Sequence, residues 1–151
     1  MTDTRQNLPD AAGTQALLTG NLSALMGVDA PLARRLTWAV DDAHVQRGAD
    51  GKIVYLRHRT PLPLRVDEGT CRRLLADVPD DKDVLVFGVG LGELVVAALA
   101  HTNGRVVAWD RDPWLWRLTL SNHDLRLPLA QGRLVAALGV DVAEIAGPCE
   151  E

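Results

Sequence analysis

Apolar residues recur with helical spacing near the start of the chain. Leu18, Leu22, Leu25 and Met26 stand at i, i+4, i+7 and i+8, which predicts an amphipathic helix. Gly20 weakens that helix and Gly27 is placed to stop it. Asp29 followed by Pro31 opens a second helix, with Leu32, Leu36, Ala39 and Val40 as its inward stripe. The pattern then turns to alternation. "HVQRGADGKIVYLRH" reads as a hairpin with Asp50-Gly51 at its turn, and the two prolines of "TPLPL" confine the next segment to an edge strand or an extended connector. Asp67 caps a further helix on which Cys71, Leu74, Leu75 and Val78 share a face.

From Asp83 the periodicity changes again. "VLVF" is a short continuous apolar run, as expected of a strand covered on both faces of a parallel sheet. Glycines follow, then a helix from about residue 93 to 100. "RVVAW" is a second strand ending at Asp110, Asp112-Pro113 starts another helix, and "GRLVAAL" is a third strand ending near Asp141. The expected fold class is α/β. Its main element is a partial Rossmann-type parallel sheet of three βα-linked strands, preceded by a small helical and β-hairpin part. The expected divisions are a flexible N-terminus over 1–13, the helices and hairpin over 14–82, the Rossmann-like half-domain over 83–145 and a tail over 146–151.

Composition narrows the partners. The 151 residues are 47% apolar and 24% charged, ordinary values for one globular domain with a real core. The net charge of −4 offers no basic field for nucleic acid or an anionic membrane. "LVVAALA" is too short to span a bilayer, and the polar start "MTDTRQNLPD" is unlike a signal peptide. A cytoplasmic protein with neither nucleic acid nor membrane as partner is expected. Cys71 and Cys149 have no companion at metal-ligand spacing, and neither do His44, His101 and His123, so no metal site is assigned. Arg57, His58, Arg59 and Arg65 read as a solvated charged face.

Candidate chemistry gathers where the carboxyl ends of the strands meet. Gly88, Gly90 and Gly92 let the backbone turn sharply and approach a ligand beside the start of the following helix. Asp110, ending the second strand, has the place of an acid that accepts hydrogen bonds from ribose hydroxyls, and Asp141 that of an acceptor for an adenine amino group. Arg111 can stack on a base through its guanidinium. The dinucleotide fingerprint wants glycine at position 93, where the chain has Glu93. A pyrophosphate would meet that carboxylate at the helix start, which argues against NAD and FAD. Each group also has a plainer reading. The glycines suit any strand-to-helix turn, Asp110 can serve the local backbone, Asp112 an N-cap, and Asp141 the start of a last helix. Trp109, Trp114 and Trp116 suit packing; Trp114 and Trp116, two apart, face different ways on a helix. No catalytic residue is assigned.

Two families share parts of this pattern. G-x-G-x-G with an acid about twenty residues on resembles the first two motifs of class I S-adenosylmethionine-dependent methyltransferases, over roughly Asp83 to Asp141. The chain departs from them in having Val86 where they carry an acid for the methionine amine, and Arg111 where they carry an apolar residue. Its third-strand acid is also displaced, in "LGVD". The string "VLVFGVGLGEL…VVAWDRDPWLWRLTL" is similar to the Rossmann-like N-terminal module of bacterial glycosyltransferases of the spore-maturation and motility-accessory types. The helix pair, hairpin, proline-bearing segment and helix upstream resemble that module too. This second resemblance implies one module of a larger sugar-transferring protein and leaves its own ligand open; between them the two resemblances offer S-adenosylmethionine or a nucleotide or nucleotide-sugar as the ligand.

The expected sheet lacks the strand that normally lies outside the first, so Val84–Phe87 is left near an edge. The N-terminal hairpin, a second subunit or a C-terminal domain is expected to cover it, and a complete stand-alone enzyme is not. Three functions follow: a nucleotide- or nucleoside-binding module of a glycosyltransferase-like protein, a truncated or divergent methyltransferase, or a non-catalytic Rossmann-like interaction module.

Overall fold

A computed structural model describes residues 11–39, 45–47, 53–57 and 60–139, with side chains in the antiparallel sheet left aside. The hairpin turn Asp50-Gly51, His44, His58, Arg59, Asp141, Cys149 and the tail lie outside the described residues. Helix α1 covers Ala11–Val28, so it already takes in part of the stretch 1–13. A single residue, Asp29, separates it from α2 (Ala30–Thr37). The Asp29 carboxylate accepts from the Leu32 amide at 3.1 Å, capping α2 with Pro31 in the first turn. Three short strands follow, β1 (Val45–Arg47), β2 (Ile53–Arg57) and β3 (Thr60–Pro63), joined antiparallel in that order. The proline-bearing segment is thus an edge strand, where a missing backbone donor costs least.

Helix α3 (Glu68–Leu75) is capped by Asp67, whose carboxylate accepts from both the amide and the hydroxyl of Thr70 at 2.8 Å. Next come β4 (Val84–Phe87), α4 (Glu93–His101), β5 (Val106–Asp110), α5 (Pro113–Asn122), a short α6 (Arg126–Ala130) that the sequence pattern does not suggest, and β6 (Leu134–Leu138). The last three strands pair parallel in the order β4-β5-β6, the expected half of a Rossmann-type sheet. Val84, Val86, Val106, Ala108, Leu134 and Ala136 point to one face and join the core built with the helices. There α1 packs on α2, α5 and α6, α2 on α5, and α3 on α4.

Three expectations need correction. "VLVF" is not covered on both faces: Leu85 is 37% and Phe87 55% exposed, while Val86 is buried. The cause is position, because β4 has a strand neighbour on one side only among the described residues, and its side chains alternate between the helix layer and the open face. Leu74 is exposed on α3 while Cys71 and Leu75 are buried. Met26 is likewise exposed at the end of α1, although Leu18 and Leu25 are core residues. Among the described residues no helix is long and apolar enough to cross a membrane.

Candidate functional site

The glycine loop starts as a continuation of the sheet. The Gly88 amide donates to the Trp109 carbonyl at 2.8 Å, extending the β4–β5 ladder by one residue. The chain then folds inward: Val89 and Leu91 are buried in the core, and the Gly92 amide closes the turn on the Val89 carbonyl at 2.8 Å. All three glycines have positive φ, 84°, 54° and 97°. What surrounds them differs. A Cβ on Gly90 would lie 2.6 Å from the Leu64 carbonyl oxygen, and one on Gly92 would lie 2.7–2.8 Å from His123 and Thr119. A Cβ on Gly88 would meet nothing within 4 Å among the described residues. Two of the glycines therefore serve close packing of the protein on itself, and one opens outward.

Helix α5 holds the loop from the other side. The His123 ring nitrogen Nε2 meets the Leu91 carbonyl at 3.0 Å, and the Thr119 hydroxyl donates to the Gly90 carbonyl at 3.4 Å. The sequence assigned no chemistry to His123, and the structure gives it this positioning contact. His101 makes a similar one, its Nε2 lying 2.6 Å from the Val78 carbonyl.

Asp110 sits at the carboxyl end of β5, only 7% exposed. Its Oδ2 accepts from the Val89 amide and its Oδ1 from the Asp112 amide, each at 2.9 Å. The carboxylate thus ties the glycine loop to the strand-to-helix turn after β5. Burial pushes its pKa above the ordinary aspartate value, while the amides of Asp112, Val89 and Arg111 pull it back. The sign for stability follows. Just above the ordinary aspartate pKa the native state binds more protons than the unfolded chain, so this group's contribution falls as pH rises through that window. Lowering the pH from about 7 to about 4 should therefore raise the urea midpoint of the wild-type chain relative to Asp110→Asn. Paired urea titrations check this, and a constant offset between the two would contradict it.

The other described groups near the strand ends each have a setting of their own. Arg111 is exposed at the same strand ends. Asp112 caps α5, accepting from the Trp114 amide at 2.9 Å. Glu93, at the first turn of α4, lies 3.4 Å from Arg65, and its second oxygen is buried without a hydrogen-bond partner among the described residues. The helix start where a phosphate would sit thus already holds a carboxylate of the chain. Trp116 is fully buried and its indole N–H donates to the Ala137 carbonyl at 3.1 Å, whereas Trp114 is half-buried beneath the Arg117 guanidinium. The two do face different ways. Trp109 meets Phe87 edge to face with ring centroids 5.9 Å apart. Among the described residues no His, Cys, Asp and Glu gather as metal ligands.

No protein-family model matches the chain, and no curated protein does. The solved structure of MAf glycosyltransferase from Magnetospirillum magneticum AMB-1 is similar over 88% of this chain, with a TM-score of 0.58 at 16% identity. The chain spans 29% of that protein's length. At this identity the likeness is one of fold, and the fold is glycosyltransferase-like.

Proposed function

We propose that this chain is a Rossmann-like module of a glycosyltransferase-type protein in which the glycine loop is a structural turn, and that sugar transfer is carried out elsewhere in such a protein. One observation carries this reading: the Asp110 carboxylate accepts from the Val89 and Asp112 amides at 2.9 Å in a buried position. Each carboxylate oxygen keeps a second lone pair, so it is burial that stands in the way: at 7% exposure a ribose reaches Asp110 only if the loop that donates to it moves, and a buried amide left unpaired by that movement costs about 1–3 kcal/mol. The close packing of Gly90 on Leu64 and of Gly92 on α5 agrees with it. Val86, buried and apolar, has no carboxylate to offer a methionine amine, which disfavours the methyltransferase reading. Glu93 disfavours NAD and FAD at the helix start.

A second reading, a nucleotide or nucleotide-sugar held at the strand ends, is favoured by one specific feature. Gly88 faces open space, with the exposed Arg111 at the same edge of the sheet. Such a ligand would use Gly88 and Arg111 rather than the acid.

Isothermal titration with S-adenosylhomocysteine, UDP and UDP-sugars separates these. The structural-turn reading expects no saturable heat from any of them. UDP binding abolished by Arg111→Ala would replace it with the second reading. Binding of the adenosine ligand, lost on Asp110→Ala in a variant that still folds by circular dichroism, would restore the methyltransferase.

A further inference from the structure

Helices α1, α2 and α5 pack on one another, and none of the three contains an aspartate or a glutamate. Asp29 and Asp112, which flank α2 and α5, sit at their N-terminal caps. The cations of these helices are Arg34 and Arg35 on α2 and Arg117 on α5. In a chain with 20 acidic residues and a net charge of −4, this corner carries a local positive field.

The field is concentrated on the outer face of α2. Pro31, Arg34, Arg35 and Trp38 stand at i, i+3, i+4 and i+7, one row of a helix surface. All four are exposed, opposite the buried Leu32, Ala33 and Leu36. The Trp38 amide donates to the Arg34 carbonyl at 3.3 Å, which places Trp38 one turn beyond that arginine. Its side chain is 81% exposed, the most of any large hydrophobic residue described. Arg117 reaches the same end of α2: its Nη1 donates to the Thr37 carbonyl at 2.7 Å, and its guanidinium lies 5.6 Å from the centre of the Trp114 ring. The last turn of α2 is thus served by Arg117, and capping leaves the two arginines of the outer face unused.

Arginines elsewhere in the fold are engaged. Arg65, Arg72, Arg105 and Arg126 each meet a carboxylate of the chain, and Arg133 meets backbone carbonyls. Arg34 and Arg35 make no hydrogen bond or ion pair among the described residues. We propose that this face of α2 binds an acidic segment of a protein partner, with carboxylates on Arg34 and Arg35 and an apolar side chain against Trp38.

Charge selects the sign of the partner and shape selects its kind. Guanidinium forks take carboxylates through paired hydrogen bonds, and tryptophan and arginine are the side chains on which interface energy concentrates. A helix face is convex, whereas small ligands sit in concave sites, so the partner is a macromolecule. Nucleic acid fits less well. Three guanidinia about a helix of eight residues, about 12 Å long, span few phosphates, and the net charge of −4 repels a long polyanion. An anionic membrane would need an apolar face to enter, and α2 turns its apolar side to the core.

Fluorescence polarisation of the full chain with a fluorescein-labelled glutamate–tyrosine copolymer tests this. The expected result is saturable binding that weakens as salt is raised. Arg34→Ala and Arg35→Ala should each lower the affinity at least about threefold, and Trp38→Ala about tenfold. Arg72→Ala, the same change of charge at an arginine paired with Glu68 on α3, should leave it unchanged. All four replace exposed side chains, and unchanged urea midpoints show that the variants remain folded. No saturable binding overturns the proposal, as does binding that ignores Arg34, Arg35 and Trp38 or that all four variants weaken alike. Tighter binding of an oligothymidylate or of phosphatidylserine vesicles, lost in the same variants, gives the face to nucleic acid or to a membrane and overturns it too. A copolymer that binds only after Asp41→Asn and Asp42→Asn puts the chain's own acids on the arginines, and overturns a separate partner.

Discussion

Asn21→Ala is expected to cost about 3–5 kcal/mol, the largest loss from any single polar side chain in the molecule. Asn21 is fully buried on α1. Its amide nitrogen donates to the Leu120 carbonyl at 2.8 Å and to the His123 carbonyl at 2.6 Å, and its oxygen accepts from the Leu125 amide at 2.8 Å. These three backbone groups lie where α5 ends and the chain turns into α6, so no helix ladder serves them. Alanine would leave all three without that partner, the Leu120 carbonyl and the Leu125 amide in buried surroundings. For a chain of this size the melting midpoint should fall by roughly 6–20 °C, at about 2–4 °C per kcal/mol. Asn21→Asp is the sharper test. It keeps the shape and the bond from Leu125, yet turns the donor into an acceptor aimed at two carbonyl oxygens. It should therefore destabilise at least as much as alanine at neutral pH. A loss below about 1 kcal/mol for both would mean that water or a relaxed backbone replaces the side chain.

Gly90→Ala should come next, at about 3 kcal/mol or somewhat more. Its φ of 54° alone costs a non-glycine residue about 1–2 kcal/mol, and the new methyl would lie 2.6 Å from the Leu64 carbonyl oxygen. That neighbour is backbone, so either the loop or the segment between β3 and α3 must move. Gly88→Ala isolates the second effect. Its φ is 84° but a Cβ there would meet nothing within 4 Å among the described residues, so it should show the backbone strain and little else. Urea unfolding of both variants measures the difference, and equal losses would remove the close approach as the reason for glycine at position 90. The comparison also bears on function. A loop whose glycine is demanded by Leu64 is required for folding whether or not any ligand exists.

The order of elements was legible in the sequence because it rests on local features. Asp29, Asp67 and Asp112 precede periodic runs and cap the helices they announce, and the prolines of "TPLP" predict an edge strand. The three parallel strands were legible from their apolar runs. What escaped depends on neighbours distant in sequence. Apolar character and the expected edge position did not show that Leu85 and Phe87 stay exposed, because that depends on the helices covering the other face, through Val84 and Val86. Short α6 has no side-chain cap and so leaves no local signal. Asn21 sits among leucines on the apolar face of α1, where an amide looks like an interruption of the pattern. Its partners are 99 to 104 residues away. The site divides in the same way. The glycines and Asp110 stand out by type and spacing, and both readings of them were available. What type and spacing do not show is that the Val89 and Asp112 amides donate to the carboxylate and that the Leu64 carbonyl stands against Gly90, because those contacts are set by the fold.

The distance between Asn21 and its partners also sets an order of events during synthesis. Residues 11–28 leave the ribosome long before the carbonyls of Leu120 and His123 exist, so α1 can pack early on α2 alone, while its buried amide and its contacts with α5 and α6 wait for the later part of the chain. The parallel sheet and α5 must form first, from the later part of the chain, and α1 is then drawn back across them. Until that moment the helix pair carries an apolar surface in search of cover, of the kind that a chaperone holds.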